Sequence, residues 1–355
     1  MESLGMKGFW RDKRVLLTGH TGFKGSWLAL WLSHLGAKVY GCALEPHTSP
    51  SLFRQLGLER DLDHIVCDIR DGDAVAACVR HAVPDVVLHL AAQPIVRRSY
   101  REPLRTWQTN VIGTANLLES LRSHDQRCAA VIVTSDKVYE NREWFYGYRE
   151  TDTLGGHDPY STSKAAAELA VATWRNAVFG AESPVKLASA RAGNVIGGGD
   201  WAEDRLIPDI ARSLAAGETI SIRNSASVRP WQHVLESLSG YLLLAQRLYE
   251  EDTPGLDTSF NFGPEPSGIS DVETVLKEAL RHWPGEWQSE PQPRAVHEAA
   301  HLSLSIDKAR TLLGWSPRWD MAEAVRQTMT WYRAVHEGAD ARALTLAQIG
   351  AYADG

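Results

Sequence analysis

A chain of 355 residues, 44% hydrophobic and 23% charged, is longer than one core usually supports and has an ordinary globular balance, which excludes a fibrous or disordered protein. Its formal net charge of -7 argues against nucleic acid as a partner, although an acidic protein can still hold a local basic pocket for a phosphate ligand. The start "MESLGMKGFWRDKR" has no apolar signal core, no run approaches a membrane span, and the four cysteines form no CxxC pair. A cytoplasmic protein with reduced thiols and no membrane contact is expected.

In chain order, "RVLLTG", "KVYGCAL", "HIVCDI", "DVVLHLAA", "AAVIVTSD" and "VKLASARAG" are short apolar runs separated by helical patterns, among them Ser26 to Leu35, closed by Gly36, and Leu104 to Arg122. Uninterrupted apolar strands alternating with helices predict a parallel sheet covered on both faces. The fold class expected is therefore α/β, a doubly wound Rossmann-type sheet over residues 1–190. After about residue 190 the alternation weakens, with a helix from Val234 to Tyr249. Residues 191–355 are expected to form mainly a smaller substrate-binding lobe, some segments of which return to the first domain.

The first strand runs into "TGHTGFKGSW", which sets Gly19, Gly22 and Gly25 at the mouth of the first helix. Glycines there let the backbone turn and approach a pyrophosphate, whose charge suits the free N–H groups and positive end of a helix. The spacing is GxxGxxG, which by itself could be a plain turn; the strand before, the helix after and Glu45 twenty residues beyond Gly25 complete a dinucleotide fingerprint. Glu45 can accept from a ribose 2′-hydroxyl and would repel a 2′-phosphate, which favours NAD over NADP, unless it is simply a solvated acid before Pro46. Asp68, ending the third strand, is placed to meet the adenine, and Ala91 and Ala92 are small enough for a flat cofactor to lie against the fourth.

"DPYSTSK" places Tyr160 and Lys164 four apart on one helix face, with Asp158 as cap and Pro159 at the first helical position. A phenol becomes a usable base only if a neighbouring cation favours its anion, and Lys164 and a nicotinamide ring can supply that. With the glycine loop and with Ser135 on the preceding strand, the pair reads as a hydride-transfer site.

Those motifs, "TGHTGFKG", "HLAAQ", "TSDKVY" and "YSTSK", resemble the extended short-chain dehydrogenase/reductase superfamily over nearly the whole chain. "TSDKVYENREW", "GNVIGGGDWAEDRLIPD" and "RPWQHVLE" are similar to its nucleotide-sugar 4,6-dehydratases, in the CDP-glucose branch. The resemblance implies a bound NAD that stores a hydride, a CDP-glucose substrate, and a homodimer or dimer of dimers built through the helices carrying Asn110 and Tyr160. It adds Thr21, Phe23, Ile69 and Asn110 to the cofactor contacts, and Asn194, Arg205, Arg229 and Asn261 to the substrate contacts. It implies that Tyr160, Ser135 and Lys164 oxidise C4 while Asp136 and Lys137 carry the elimination. The dTDP-glucose enzymes have Glu where this chain has Lys137. An unshifted lysine is protonated at neutral pH, so Lys137 is either a base with a depressed pKa or a fixed cation beside the C5 enolate.

One motif competes. "HEAAH", His297 to His301, matches the HExxH zinc signature, but a Pro-rich stretch before it and a strand-like alternation after it leave no long helix to carry the pair. A non-catalytic NAD-binding scaffold, the other alternative, has no need of the intact Tyr160 and Lys164 pair.

Overall fold

The computed structural model describes residues 8–180, 182–222, 224–290 and 301–354. Seven parallel strands form the central sheet. Six come in sequence: β1 (Arg14–Thr18), β2 (Lys38–Ala43), β3 (Asp63–Val66), β4 (Val86–His89), β5 (Cys128–Val133) and β6 (Val185–Arg191). The seventh is the short strand Ser259–Asn261, and the order across the sheet is Ser259–Asn261, β6, β5, β4, β1, β2, β3. The order reverses between β1 and β4, and in open α/β sheets a ligand crevice forms at that point, outside the carboxyl ends of the strands.

Both faces of the sheet are buried, and successive residues alternate between them as the two-residue period of a strand requires. Val15, Leu17, Ala129 and Val131 point into one core, covered by the helices Phe23–His34, Val234–Glu250 and Met321–His336. Leu16, Cys128, Ala130 and Ile132 point into the other, covered by Gly72–Ala82 and Gly113–Ser120. Cys42, Cys67 and Cys78 meet in this second core with their sulfur atoms within 4.8 Å of one another. Hydrogen bonding to Cys67 and Cys78, then burial, push the Cys42 thiol up, which favours a neutral thiol packed as a small hydrophobe.

The chain beyond residue 190 contributes to this layer as well as to a separate lobe. Ser259–Asn261 pairs in parallel with β6, and helix Val234–Glu250 packs on β5 and β6. The remaining strand pairings beyond residue 190 among the described residues are short: Val195–Ile196 with Gln232–His233, Val228–Pro230 with Ile269–Asp271, and Ile220–Ile222 with Trp287–Ser289. The helix expected from Leu104 to Arg122 is a run of segments, Pro103–Trp107, a π-helical turn Gln108–Ile112 and Gly113–Ser120. No described helix is long and apolar enough to cross a membrane.

Candidate active site

The glycine turn after β1 is built for close approach. Gly19 adopts φ 76°, and a Cβ on it would lie 2.7 Å from the Ala91 nitrogen, so β1 and the end of β4 can come together only without a side chain there. A Cβ on Gly25 would lie 2.1 Å from the Gly19 carbonyl oxygen. Gly22 caps helix Phe23–His34 with no side-chain hydrogen bond, leaving the first-turn N–H groups to a ligand. Thr21 is tied back by its hydroxyl to the Leu44 carbonyl at 2.8 Å, Phe23 is half-buried, and Ala91 and Ala92 line the same crevice half-buried. The residues present fit a dinucleotide.

At the far end of that crevice Glu45 is exposed beyond β2, 3.6 Å from Arg54. Asp68 beyond β3 is gripped by the Arg70 guanidinium and backbone, which hold its carboxyl below the usual range. Ile69 is buried in the second core.

Asn110 differs from expectation. It is buried, and its amide is occupied within the protein: Oδ1 accepts from the Gln93 nitrogen at 2.8 Å, while Nδ2 donates to the Gln93 carbonyl at 3.1 Å and to Ser163 at 2.9 Å. It ties the loop after β4 to the helix carrying Tyr160 and Lys164, which makes it a support for the site.

The side chains expected to carry the chemistry converge where β5 ends. After Val133 and Thr134 the backbone stays extended at Ser135 and then turns through Asp136–Val138. The Ser135 hydroxyl donates to Asp136 Oδ1 at 3.0 Å and accepts from the Lys137 nitrogen at 3.2 Å. Opposite lies helix Pro159–Thr173, started by a capping box in which Asp158 Oδ1 accepts from the Tyr160 and Ser161 nitrogens at 2.9 Å, with Pro159 in the first turn. Lys164 on this helix donates to the Val133 carbonyl at 3.3 Å. Ser135, Asp136, Tyr160 and Lys164 are all buried, and Lys137 is half-buried beside them.

Burial, aided by the charge of Asp136, pushes the Tyr160 phenol up to about 12, opposed by hydrogen bonding with Ser135 and the charge of Arg205. Burial lowers Lys164 to about 8, opposed by Glu168. A positive charge brought beside the phenol would favour its anion, as expected of a nicotinamide ring.

Asp136 has a fitted seat. A Cβ at Gly193 would fall 1.9 Å from Asp136 Oδ2, so the carboxylate occupies the space a side chain would take. Asn194, at φ 48°, directs its amide to the same oxygen at 3.4 Å. Arg205 belongs to this neighbourhood through its charge on Tyr160, but its Nη1 is held by Asp200 at 2.8 Å. Arg229 stands on the pair of short strands in the lobe and donates to the Val228 carbonyl.

Asn261 is also corrected. It is fully buried, accepting from the Tyr139 hydroxyl at 2.7 Å and donating to the carbonyls of Tyr148 and Ser305, so its amide pins the lobe to the sheet and has nothing left for a ligand. His297 to Ala300 of the HExxH match lie outside the described residues.

Sequence reasoning overlooked Gly193, Asp200, Lys24 and Tyr241. Gly193 and Asp200 lie within the motif "GNVIGGGDWAEDRLIPD", and Lys24 is a charged residue opening the otherwise apolar helix "FKGSWLALWL"; Tyr241 carried no such signal.

A family model described as GDP-mannose 4,6 dehydratase matches residues 16–328. The chain belongs to that family. A CDP-glucose 4,6-dehydratase of Salmonella typhimurium is 47% identical over 340 residues, which span 94% of each chain. Among solved structures, a UDP-glucose-4-epimerase from Stenotrophomonas maltophila with bound NAD and formylated UDP-arabinopyranose superposes with a TM-score of 0.79 at 24% identity, covering 92% of this chain and all of that one. A dTDP-glucose 4,6-dehydratase from Bacillus anthracis in complex with NAD gives 0.75 at 19% identity, covering 91% and 97%. These two likenesses establish the Rossmann-type fold of this dehydratase.

Proposed function

We propose that this dehydratase converts CDP-glucose to CDP-4-dehydro-6-deoxyglucose and water with bound NAD. The observation that carries the substrate is the 47% identity to a CDP-glucose 4,6-dehydratase over nearly the full length of both chains. The convergence of Ser135, Asp136, Tyr160 and Lys164 supports the chemistry.

Bound NAD would supply a temporary store for the hydrogen of C4, taken as hydride and returned to C6, together with a positive charge that favours the Tyr160 anion. Tyr160 takes the proton of the C4 hydroxyl, assisted by Ser135. The C4 ketone then acidifies the C5 proton, which Lys137 takes up as a neutral amine, or which passes to water if Lys137 stands as a cation beside the enolate. Asp136 protonates the departing C6 hydroxyl, so that one water leaves. C5 regains a proton as C6 is reduced. An oxidation-only enzyme or a 4-epimerase has no need of this second acid–base pair.

Arg205, Arg229 and Asn194 are the proposed substrate contacts. We place the protein in the cytoplasm, where its four free buried thiols would stay reduced. Association as a homodimer is supported by Leu104, Trp107, Ile112 and Leu169, large apolar side chains exposed on the helical runs that carry Asn110 and Tyr160.

The substrate is tested by incubating the protein with CDP-, dTDP-, UDP- and GDP-linked glucose and with GDP-mannose. Loss of one water, read by mass, is expected with CDP-glucose, and a preference for another nucleotide would overturn the assignment.

A further inference from the structure

Three cysteines that stand far apart in the sequence meet at one point of the fold. Cys42 on β2, Cys67 just beyond β3 and Cys78 on helix Gly72–Ala82 are buried, with their sulfur atoms within 4.8 Å of one another. The strand register explains the first two. Cys42 lies opposite Ile65, and Cys67, two residues further on, faces the same side of the sheet, its nitrogen donating to the Ala43 carbonyl at 2.8 Å. Cys78 belongs to the buried face of its helix, with Val75, Val79 and Ala82. Among the described residues this is the one group of three or more His, Cys, Asp or Glu side chains close enough to share an ion. Burial of a thiol does not by itself produce such a meeting, because Cys128 is fully buried in the same core and stands outside the group.

We propose that Cys42, Cys67 and Cys78 form a binding site for one monovalent copper ion. Soft sulfur ligands select Cu(I) over the harder cations. A flat triangle with metal–sulfur bonds of about 2.3 Å needs sulfur atoms about 4 Å apart, so no edge of this one has more than about 0.8 Å to close. Structural zinc almost always takes four ligands. No fourth His, Cys, Asp or Glu joins the group among the described residues, and the apolar core around it, with Leu16, Val75 and Val79, is a poor place for a water that would complete a zinc site. Each thiol that binds as a thiolate releases one proton to solvent, and no electron is transferred. Cys67, the least covered of the three, gives the ion its way in. Because Cys67 directly precedes Asp68, a bound ion fastens the ends of β2 and β3 to helix Gly72–Ala82 beside the residue expected to meet the adenine. The site shares no residue with the catalytic group and does not depend on which nucleotide sugar the protein takes.

The test titrates the NAD-loaded full chain, without oxygen, into the coloured bicinchoninate complex of Cu(I), and compares wild type with Cys42→Ser, Cys67→Ser, Cys78→Ser and Cys128→Ser. Wild type is expected to withdraw a single copper ion per chain. A residue that merely supports a metal ligand typically contributes about 10- to 100-fold to affinity, so each of the first three variants, lacking a ligand, should lose at least about 100-fold. Cys128→Ser should bind as wild type does. Failure of wild type to withdraw copper would overturn the site, as would equal binding by all four variants or a comparable loss in Cys128→Ser. Tight binding of zinc in preference to copper would also overturn the assignment. Should the serine variants fail to fold, copper X-ray absorption of the loaded wild type decides: three sulfur neighbours at about 2.3 Å support the site, and two or fewer overturn it.

Discussion

Glu168 and Arg191 form an ion pair at 2.7 Å with 4% and 3% of their side chains exposed, joining the helix of Tyr160 and Lys164 to the sheet. Glu168 lies one helical turn beyond Lys164, and Arg191 ends β6. The hydroxyls of Thr134 and Ser189 donate to the same carboxylate, and Arg191 also donates to the Tyr139 hydroxyl at 2.8 Å. The carboxylate thus accepts from three side chains, while Arg191 Nε has no partner, and this network joins the helix of Tyr160 and Lys164 to the strand ends that carry Ser135 and Gly193.

Removing one partner of such a pair leaves an uncompensated buried charge, which typically costs about 3–5 kcal/mol. Glu168→Ala and Arg191→Met should each lose stability in that range in urea unfolding. The double variant Glu168→Leu with Arg191→Met should lose less than the two single losses combined. Additive losses would show that the two groups do not depend on each other.

The proposed oxidation and elimination rest on different residues, Tyr160 and Lys137. If Tyr160 is the base for the C4 hydroxyl, as proposed, no reduced cofactor should form in Tyr160→Phe. Lys137→Met keeps the length of the side chain and removes the amine, so reduced cofactor should accumulate while turnover falls about 10²- to 10⁴-fold. Stopped-flow absorbance with CDP-glucose distinguishes them. Wild-type exchange of the C5 hydrogen in Lys137→Met would leave that step to Asp136 or to water.

His20, His89 and His233 are buried, and burial, aided at His20 by His64 and at His89 by Lys164, lowers each to about 3. In the unfolded chain each regains a pKa near 6.5. Between these values the unfolded state binds more protons than the folded one, so stability is full above about pH 6.5 and declines as pH falls. The slope is about 1.4 kcal/mol per pH unit for each histidine. The urea midpoint at pH 5.5 should therefore lie well below that at pH 7.5, and His89→Gln, which keeps polar atoms for Thr18 and Thr114, should show a shallower dependence. Equal midpoints would contradict this.

The features readable from sequence were those encoded locally. Apolar runs such as "RVLLTG" and "AAVIVTSD" specified parallel strands because both of their faces are buried. Asp158 and Pro159 marked the start of the catalytic helix because capping depends only on neighbours. Relationships set by distant packing were hidden. Ser259–Asn261 is too short to show a period and becomes a strand only by pairing with β6. Nothing local distinguishes Asn261 as a pin for Tyr139, Tyr148 and Ser305 from an amide that meets a ligand. The π-helical turn at Asn110, and its contacts with Gln93 and Ser163, involve residues distant in sequence that no local pattern announces. The rise of the Tyr160 phenol comes from burial, which the four-residue spacing to Lys164 does not reveal.

In the proposed reaction the hydrogen removed from C4 returns to C6 of the same sugar. CDP-glucose carrying deuterium at C4 tests it directly, with the product read by mass and NMR. Deuterium is expected in the C6 methyl group, with one water lost for each turnover and no net consumption of NAD. Deuterium found in released NADH, with a product that has lost no water, would contradict it.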